Sequence, residues 1–174
     1  MRVRDATGAD AEALAALAAV TFPLACPPHT TDAAKAAFIA AKLSAASFAA
    51  YLEDRRRALF VAEDDGTLLG YTMLVAGEPY DPDVAAVLTL RPTVELSKCY
   101  VHPASHGGGV AAALLDVSID HARAGAASGM WLGVNQLNAR AQRFYGKHGF
   151  ARVGVKRFLV GDRYEDDYVF ERAL

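Results

Sequence analysis

Asn138 and Tyr145 stand seven positions apart, two helical turns, and so share one face of any helix that contains them. An amide and a phenol aligned in this way could serve a common ligand, although Asn138 alone also suits a helix cap and Tyr145 alone a packed core. Upstream, Val94–Leu115 passes from an apolar strand into the glycines Gly107, Gly108 and Gly109 and straight onto an Ala/Leu-rich helix. The first N–H groups of a helix lie at the positive end of its dipole, and that arrangement binds phosphate or pyrophosphate. Glycines let the backbone approach an anion with no side chain in the way. The helix carries no acidic residue before Asp116, so its first turn keeps its donors free. A surface loop capping an ordinary helix would share these features. The glycines are not followed by Lys-Ser/Thr, which disfavours a P-loop NTPase.

The elements that must position these groups can be read along the chain. Arg2–Asp5 is a short strand, and Thr7 with Asp10 resembles a capping box ahead of an Ala/Leu helix to about Val20. Pro23, Pro27 and Pro28 predict a loop over Phe22–Thr30. Helical patterns return at Thr31–Leu43 and from Ser44 to about Arg57. Ala58–Glu63 and Thr67–Ala76 flank Asp64-Asp65-Gly66, a hairpin signal. Glu78–Pro92, with three prolines, reads as a long loop holding a short helical turn at Val84–Leu88. Met130–Val134 is a strand, Asn138 the N-cap of the next helix, and Gly149 its stop, with Phe150 folding back on the last turn. Two final strands, Phe150–Lys156 and Tyr164–Arg172, join through Gly161-Asp162. The order is mixed α/β: a twisted sheet of about seven strands with helices on both faces, in one domain over residues 1–174.

Composition narrows the class. The chain is 53% apolar and 22% charged with a net charge of −2, so no basic surplus supports nucleic-acid binding. No apolar stretch is expected to reach the roughly 18 residues of a membrane span. Met1–Arg4 leads into folded-looking sequence without a signal-peptide h-region, and a cytoplasmic location is the expectation. Cys26 and Cys99 lack CxxC spacing, and Cys99 in its apolar strand reads as a buried, inert thiol. No metal site is expected: His102 and His106 are separated by Pro103 in a loop. His121 and His148 have no carboxylate or thiol at ligand spacing.

The two segments together resemble the GCN5-related N-acetyltransferase superfamily. The first is similar to its acetyl-CoA motif, a Val-x-Pro strand exit (Val101, His102, Pro103) followed by Arg/Gln-x-x-Gly-x-Gly/Ala, here His106, Gly107, Gly108, Gly109, Val110 and Ala111. The second resembles Asn-x-x-Ala-x-x-Phe-Tyr-x-x-x-Gly-Phe, matched by Asn138, Ala141, Phe144, Tyr145, Gly149 and Phe150. His106 stands where the superfamily usually has Arg or Gln; a histidine there can still donate a hydrogen bond. ELSKCYV, HGGGVA, WLGV, FYGKHGF and the tail FLVGDRYEDDYVFERAL resemble the branch of bacterial polyamine acetyltransferases of PaiA type.

The resemblance implies acetyl-CoA as co-substrate, its diphosphate on residues 106–111, its pantetheine arm against Asn138 and the backbone of Cys99, Tyr100 and Val101, and Tyr145 at its sulfur. Acyl transfer to an amine needs an uncharged nitrogen, and a primary amine titrates near 10, so a carboxylate must take its proton directly or through water. Glu95 is the candidate, on the strand that delivers Val101, with Ser97 as its alternation partner; an exposed strand residue is the other reading. A phenol near 10 can protonate a leaving thiolate whose acid titrates near 8.5, slightly uphill. Lys147 shares that helix and could reach the cofactor phosphates, although a solvated lysine is the plainer reading. For the acceptor, Glu53, Asp54, Glu78, Asp81, Asp83, Asp162, Glu165, Asp166 and Asp167 offer charge suited to a polyamine such as spermidine. An aminoglycoside, an amino acid, a protein N-terminus, or a non-catalytic acetyl-CoA-binding module stay open. A homodimer is common among similar proteins; the sequence does not decide it.

Overall fold

In the computed structural model, which describes residues 1–174, seven strands form one sheet in the order β1-β2-β3-β4-β5-β7-β6. They are β1 (Arg2–Asp5), β2 (Arg57–Asp64), β3 (Thr67–Ala76), β4 (Thr93–Val101), β5 (Gly129–Asn135), β6 (Ala151–Val160) and β7 (Arg163–Ala173). Every neighbouring pair is antiparallel except β4–β5. The helices are α1 (Ala11–Ala25), α2 (Asp32–Lys42), α3 (Ala45–Glu53), α4 (Pro82–Val87), α5 (Val110–Ala124) and α6 (Ala139–Lys147). On one face of the sheet α5 buries Leu114, Leu115 and Ile119 against Phe60, Leu74 and Met130. On the other, α1 and α3 bury Leu14, Phe22 and Phe48 against Val61, Tyr71 and Met73. Helices thus cover both faces, as the sequence order implied.

Local chemistry sets most boundaries. The Thr31 and Ser44 hydroxyls accept from the N–H groups of Ala34 and Ser47, which starts α2 and α3. Asp65 (φ 45) and Gly66 (φ 78) form a two-residue turn of the kind that matches strand twist, so β2 and β3 pair in a tight hairpin.

Three expectations are corrected. First, α1 does not stop near Val20; it runs through Pro23 to Ala25. Proline here removes the N–H that would donate to the Ala19 carbonyl and crowds that carbonyl, so packing must offset the cost. Phe22 holds that turn down, buried and stacked on Phe38 at 4.5 Å. Second, Gly8–Ala25 is 18 residues long with mean hydropathy 1.3, enough by length and composition for a membrane span. Its apolar face is committed to the sheet through Leu14, Leu17 and Phe22, which makes it a core helix. Third, α3 ends at Glu53 rather than near Arg57, because Asp54 turns extended and accepts from the Arg56 N–H and Arg57 Nε.

The parallel pair is short. Only Thr93–Gly129, Val94–Met130 and Glu95–Trp131 are in register, and beyond Glu95 strand β4 has no partner on its β5 side. On its other side, pairing jumps from Leu74–Leu96 to Met73–Lys98, leaving Ser97 as the extra residue of a bulge. A bulge bends its strand and increases the local twist, which swings the end of β4 away from β5. The sheet therefore opens as a wedge at residues 96–101.

Candidate functional site

The glycine loop builds an anion cradle. Gly107 (φ 83) and Gly109 (φ 79) occupy left-handed conformations that place Gly109 at the N-cap of α5. The N–H groups of Gly107, Gly109, Val110, Ala111 and Ala112 make no hydrogen bond within the protein, and these residues line a cavity of about 350 Å³. That is the donor set a diphosphate requires. Gly108 departs from expectation. Its N–H donates to the Ser105 carbonyl at 3.4 Å, so it serves the turn and not the cavity.

His106 is a second correction. Its Nδ1 lies 3.0 Å from Arg140 Nη1, and its Nε2 lies 3.0 Å from the Val101 carbonyl. Guanidinium can only donate, so Nδ1 accepts, and the proton sits on Nε2 and goes to Val101. Both ring nitrogens are occupied and no donor is left for an anion. His106 instead holds Arg140 at the cavity wall, where the guanidinium supplies the positive charge that the superfamily's Arg would bring.

A second cavity, about 240 Å³, lies on the α1 side of the wedge. The two compartments share one wall: Ala25, Cys99, Tyr100, Asn138, Ala141 and Tyr145 line both. Asn138 caps α6 by accepting the Ala141 N–H at 3.0 Å, which leaves its NH₂ group free. Tyr145, two turns along the same face, is enclosed beside the Cys99 thiol. Burial pushes its phenol well above the usual tyrosine range and lifts the Cys99 thiol to about 11. A thiolate released at this wall would meet the same desolvation.

The second cavity is rich in charge. Glu95 lines it, its carboxyl raised by burial and drawn back by Lys156, Lys98 and Arg57. Because of the bulge, Lys98 rather than Ser97 follows Glu95 on the α1 face in register with Met73, and Ser97 reaches the cavity from within the bulge. Burial lowers the Lys98 ammonium to about 8 and raises the Asp167 carboxyl to about 6. Of the nine acidic residues expected near the acceptor, only Glu165 and Asp167 line this cavity. Asp54 and Glu78 pair with arginines, and Asp81 caps α4. Lys147 is exposed and lines neither compartment. Sequence reasoning missed Lys98, Lys156 and Arg140, none of which carries a motif signal of its own.

A sheet parted at one parallel pair, with a phosphate cradle on one side and a charged cavity on the other, defines an acyltransferase that joins two substrates across the gap. The chain belongs to the acetyltransferase (GNAT) family, whose description matches residues 21–150. It is 48% identical over 165 residues to an uncharacterised N-acetyltransferase of Mycobacterium tuberculosis, covering 95% of this chain and 98% of the relative. Among solved structures it is similar to the PaiA N-acetyltransferase of Thermoplasma acidophilum in complex with coenzyme A. There the TM-score is 0.78 at 18% identity, over 99% of this chain and 98% of that one. It is also similar to YncA of Salmonella typhimurium with its cofactor acetyl-CoA, at TM-score 0.71 and 25% identity over 100% and 94% of the two chains. The protein is an N-acetyltransferase.

Proposed function

We propose that this enzyme moves the acetyl group of acetyl-CoA to a primary amine of a small molecule by direct attack in a ternary complex. The observation that carries this reading is the shared wall, where Tyr145 and the free edge of β4 separate a phosphate cradle from a charged cavity. Acetyl-CoA supplies the thioester. The free amides from Gly107 to Ala112, with Arg140, hold its diphosphate, and the Asn138 NH₂ and the open edge of Cys99, Tyr100 and Val101 hold its pantetheine arm like an added strand.

The amine must lose a proton before it attacks, and Glu95, which lines the cavity four residues before Cys99, takes it through a chain of waters. The nitrogen then forms the N–C bond as the C–S bond breaks. Tyr145 protonates the departing sulfur, and its phenolate recovers the remaining proton from nitrogen. One proton leaves through Glu95.

A polyamine such as spermidine was the acceptor that the loop carboxylates favoured. Most of those carboxylates lie away from the cavity, and two lysines line it, so its charge supports a compact acceptor over a long polycation. Tyr145→Phe is expected to lower kcat by roughly tenfold or more, the size of a lost general-acid contribution, while calorimetry records unchanged acetyl-CoA affinity. Unchanged turnover would remove Tyr145 from the chemistry. Tight acetyl-CoA binding without acetylation of any amine would make the protein a regulatory module.

A further inference from the structure

Five side chains that carry a full charge at neutral pH line the acceptor cavity: Glu95, Lys98, Lys156, Glu165 and Asp167. Glu165 is tied off, with its Oε1 2.6 Å from His29 Nε2 and 3.5 Å from Arg163 Nε. The other four have no ion-pair partner within 4.0 Å, although they face one small space. Two carboxylates and two ammonium groups sum to zero. Such a cavity gives a polycation no net attraction, whereas a molecule bearing one charge of each sign can pair with both.

Gly133 marks where the opposite charges converge. A Cβ at this glycine would come 2.5 Å from Lys156 Cε, 3.2 Å from its Nζ and 3.3 Å from Asp167 Oδ2. Lys156 and Asp167 are register partners across β6–β7, yet their charged atoms do not close into a salt bridge. Lys156 fills the space over Gly133, which brings its ammonium and the Asp167 carboxylate to the same side of the cavity without pairing them. Asp167 is 6% exposed; Asn135, its register partner on β5, is the one side chain placed to donate to the carboxyl, and Oδ1 is buried without a hydrogen bond. A buried, unpaired carboxylate oxygen is costly, and a cationic donor brought by a ligand removes that cost. The two poles also have an order. Asp167 acts electrostatically on Tyr100, which in turn neighbours Tyr145 at the wall. Lys156 Nζ lies over the rings of Trp131 and Phe158, each at 5.6 Å.

We propose that the acceptor is a small zwitterion, a free amino acid, whose ammonium group binds Asp167 Oδ1 facing the thioester and whose carboxylate binds Lys156. This rests on the acetyltransferase reading above. Asp167 holds the nitrogen at the wall, Glu95 receives its proton, and Lys156 selects for the acid group.

The test is thiol release from acetyl-CoA over paired acceptors: amino acids, their decarboxylated amines, short peptides with free N-termini, and spermidine. At least one amino acid is expected to exceed its decarboxylated partner by tenfold or more in kcat/KM, as a site built for a charged group discriminates. Lys156→Met is expected to collapse that preference to under about threefold through KM for the amino acid. Lys156→Glu should turn the preference toward diamines. Calorimetry with acetyl-CoA on each variant shows that the fold and the other compartment are intact. A preference for spermidine, for peptides or for decarboxylated amines overturns the inference while leaving acetyl transfer standing, and so does a preference that survives Lys156→Met. Bound acetyl-CoA with no turnover on any amine overturns the catalytic reading, and this inference with it.

Discussion

Asp167→Asn is expected to make the folded protein more stable at neutral pH and a poorer enzyme. The Asp167 side chain is buried, and burial lifts its carboxyl from 3.8 to about 6, against the pull of Lys156. A folded-state value above the unfolded one means the native protein holds the proton more tightly. Stability is therefore lost as pH rises between those two values, and the full cost is present above about 6. A shift of two units at 1.4 kcal/mol each gives about 3 kcal/mol. At this chain length 1 kcal/mol moves Tm by roughly 2–4 °C, so the variant should melt about 6–12 °C higher at pH 7.5. Asparagine keeps the shape and an acceptor oxygen but carries no charge to desolvate. Near pH 4 the wild-type carboxyl is largely protonated in the fold, and the gain should shrink toward zero. Calorimetric melts of both proteins at the two pH values measure this, because titrating groups remote from Asp167 cancel in the difference. A lower Tm for the variant at pH 7.5, or a gain of equal size at pH 4, would refute the argument that Asp167 is held ionised at a cost for the sake of a ligand.

Lys98→Met is the mirror case. The Lys98 ammonium titrates near 8 in the fold against 10.5 unfolded, so stability is lost as pH falls through that range and the cost persists below it. After allowance for its partial exposure the variant should gain about 2 kcal/mol at pH 7, read by urea unfolding, and the gain should fade above pH 10. Gly109→Ala puts a methyl group on a left-handed residue (φ 79), costing about 1 kcal/mol, and points it into the space reserved for the diphosphate. Its Tm should drop by a few degrees and its Kd for acetyl-CoA rise by an order of magnitude; an unaltered Kd would move the diphosphate elsewhere. Arg140→Ala should weaken acetyl-CoA binding more than His106→Ala does, since His106 acts only by holding the guanidinium. The reverse order in calorimetry would restore His106 as the direct ligand.

How much of this was legible in the sequence depends on the distance over which each feature is decided. The hairpin at Asp65-Gly66, the helix starts at Thr31 and Ser44, the cap at Asn138 and the stop at Gly149 stand where the sequence placed them, since each is settled by a few adjacent residues. Where a local rule met packing, it lost. Pro23 should end a helix, but the burial of Phe22 against Phe38 and the sheet carried α1 to Ala25. His106 and Gly108 were misassigned because their partners are decided in three dimensions: Arg140 lies 34 residues from His106 in the chain, and Gly108 is consumed by its own turn.

The two substrate compartments divide along the same line. The glycine loop from Gly107 to Ala112 and the Asn138–Tyr145 face each lie within one loop or one helix, so their local geometry was legible from spacing. The other compartment draws Glu95 and Lys98 from β4, Asn135 from β5, Lys156 from β6 and Asp167 from β7, and alternation within a strand cannot say which strands become neighbours. That was decided by the strand order β5-β7-β6, which sets Lys156 opposite Asp167, and by the bulge at Ser97, which turns Lys98 inward. Sequence determined the glycine loop with its free amides because short-range backbone geometry builds it, whereas Arg140 joins it only in the fold. Only the tertiary structure decided what faces the acceptor, because charges that lie apart in the chain meet there by long-range pairing.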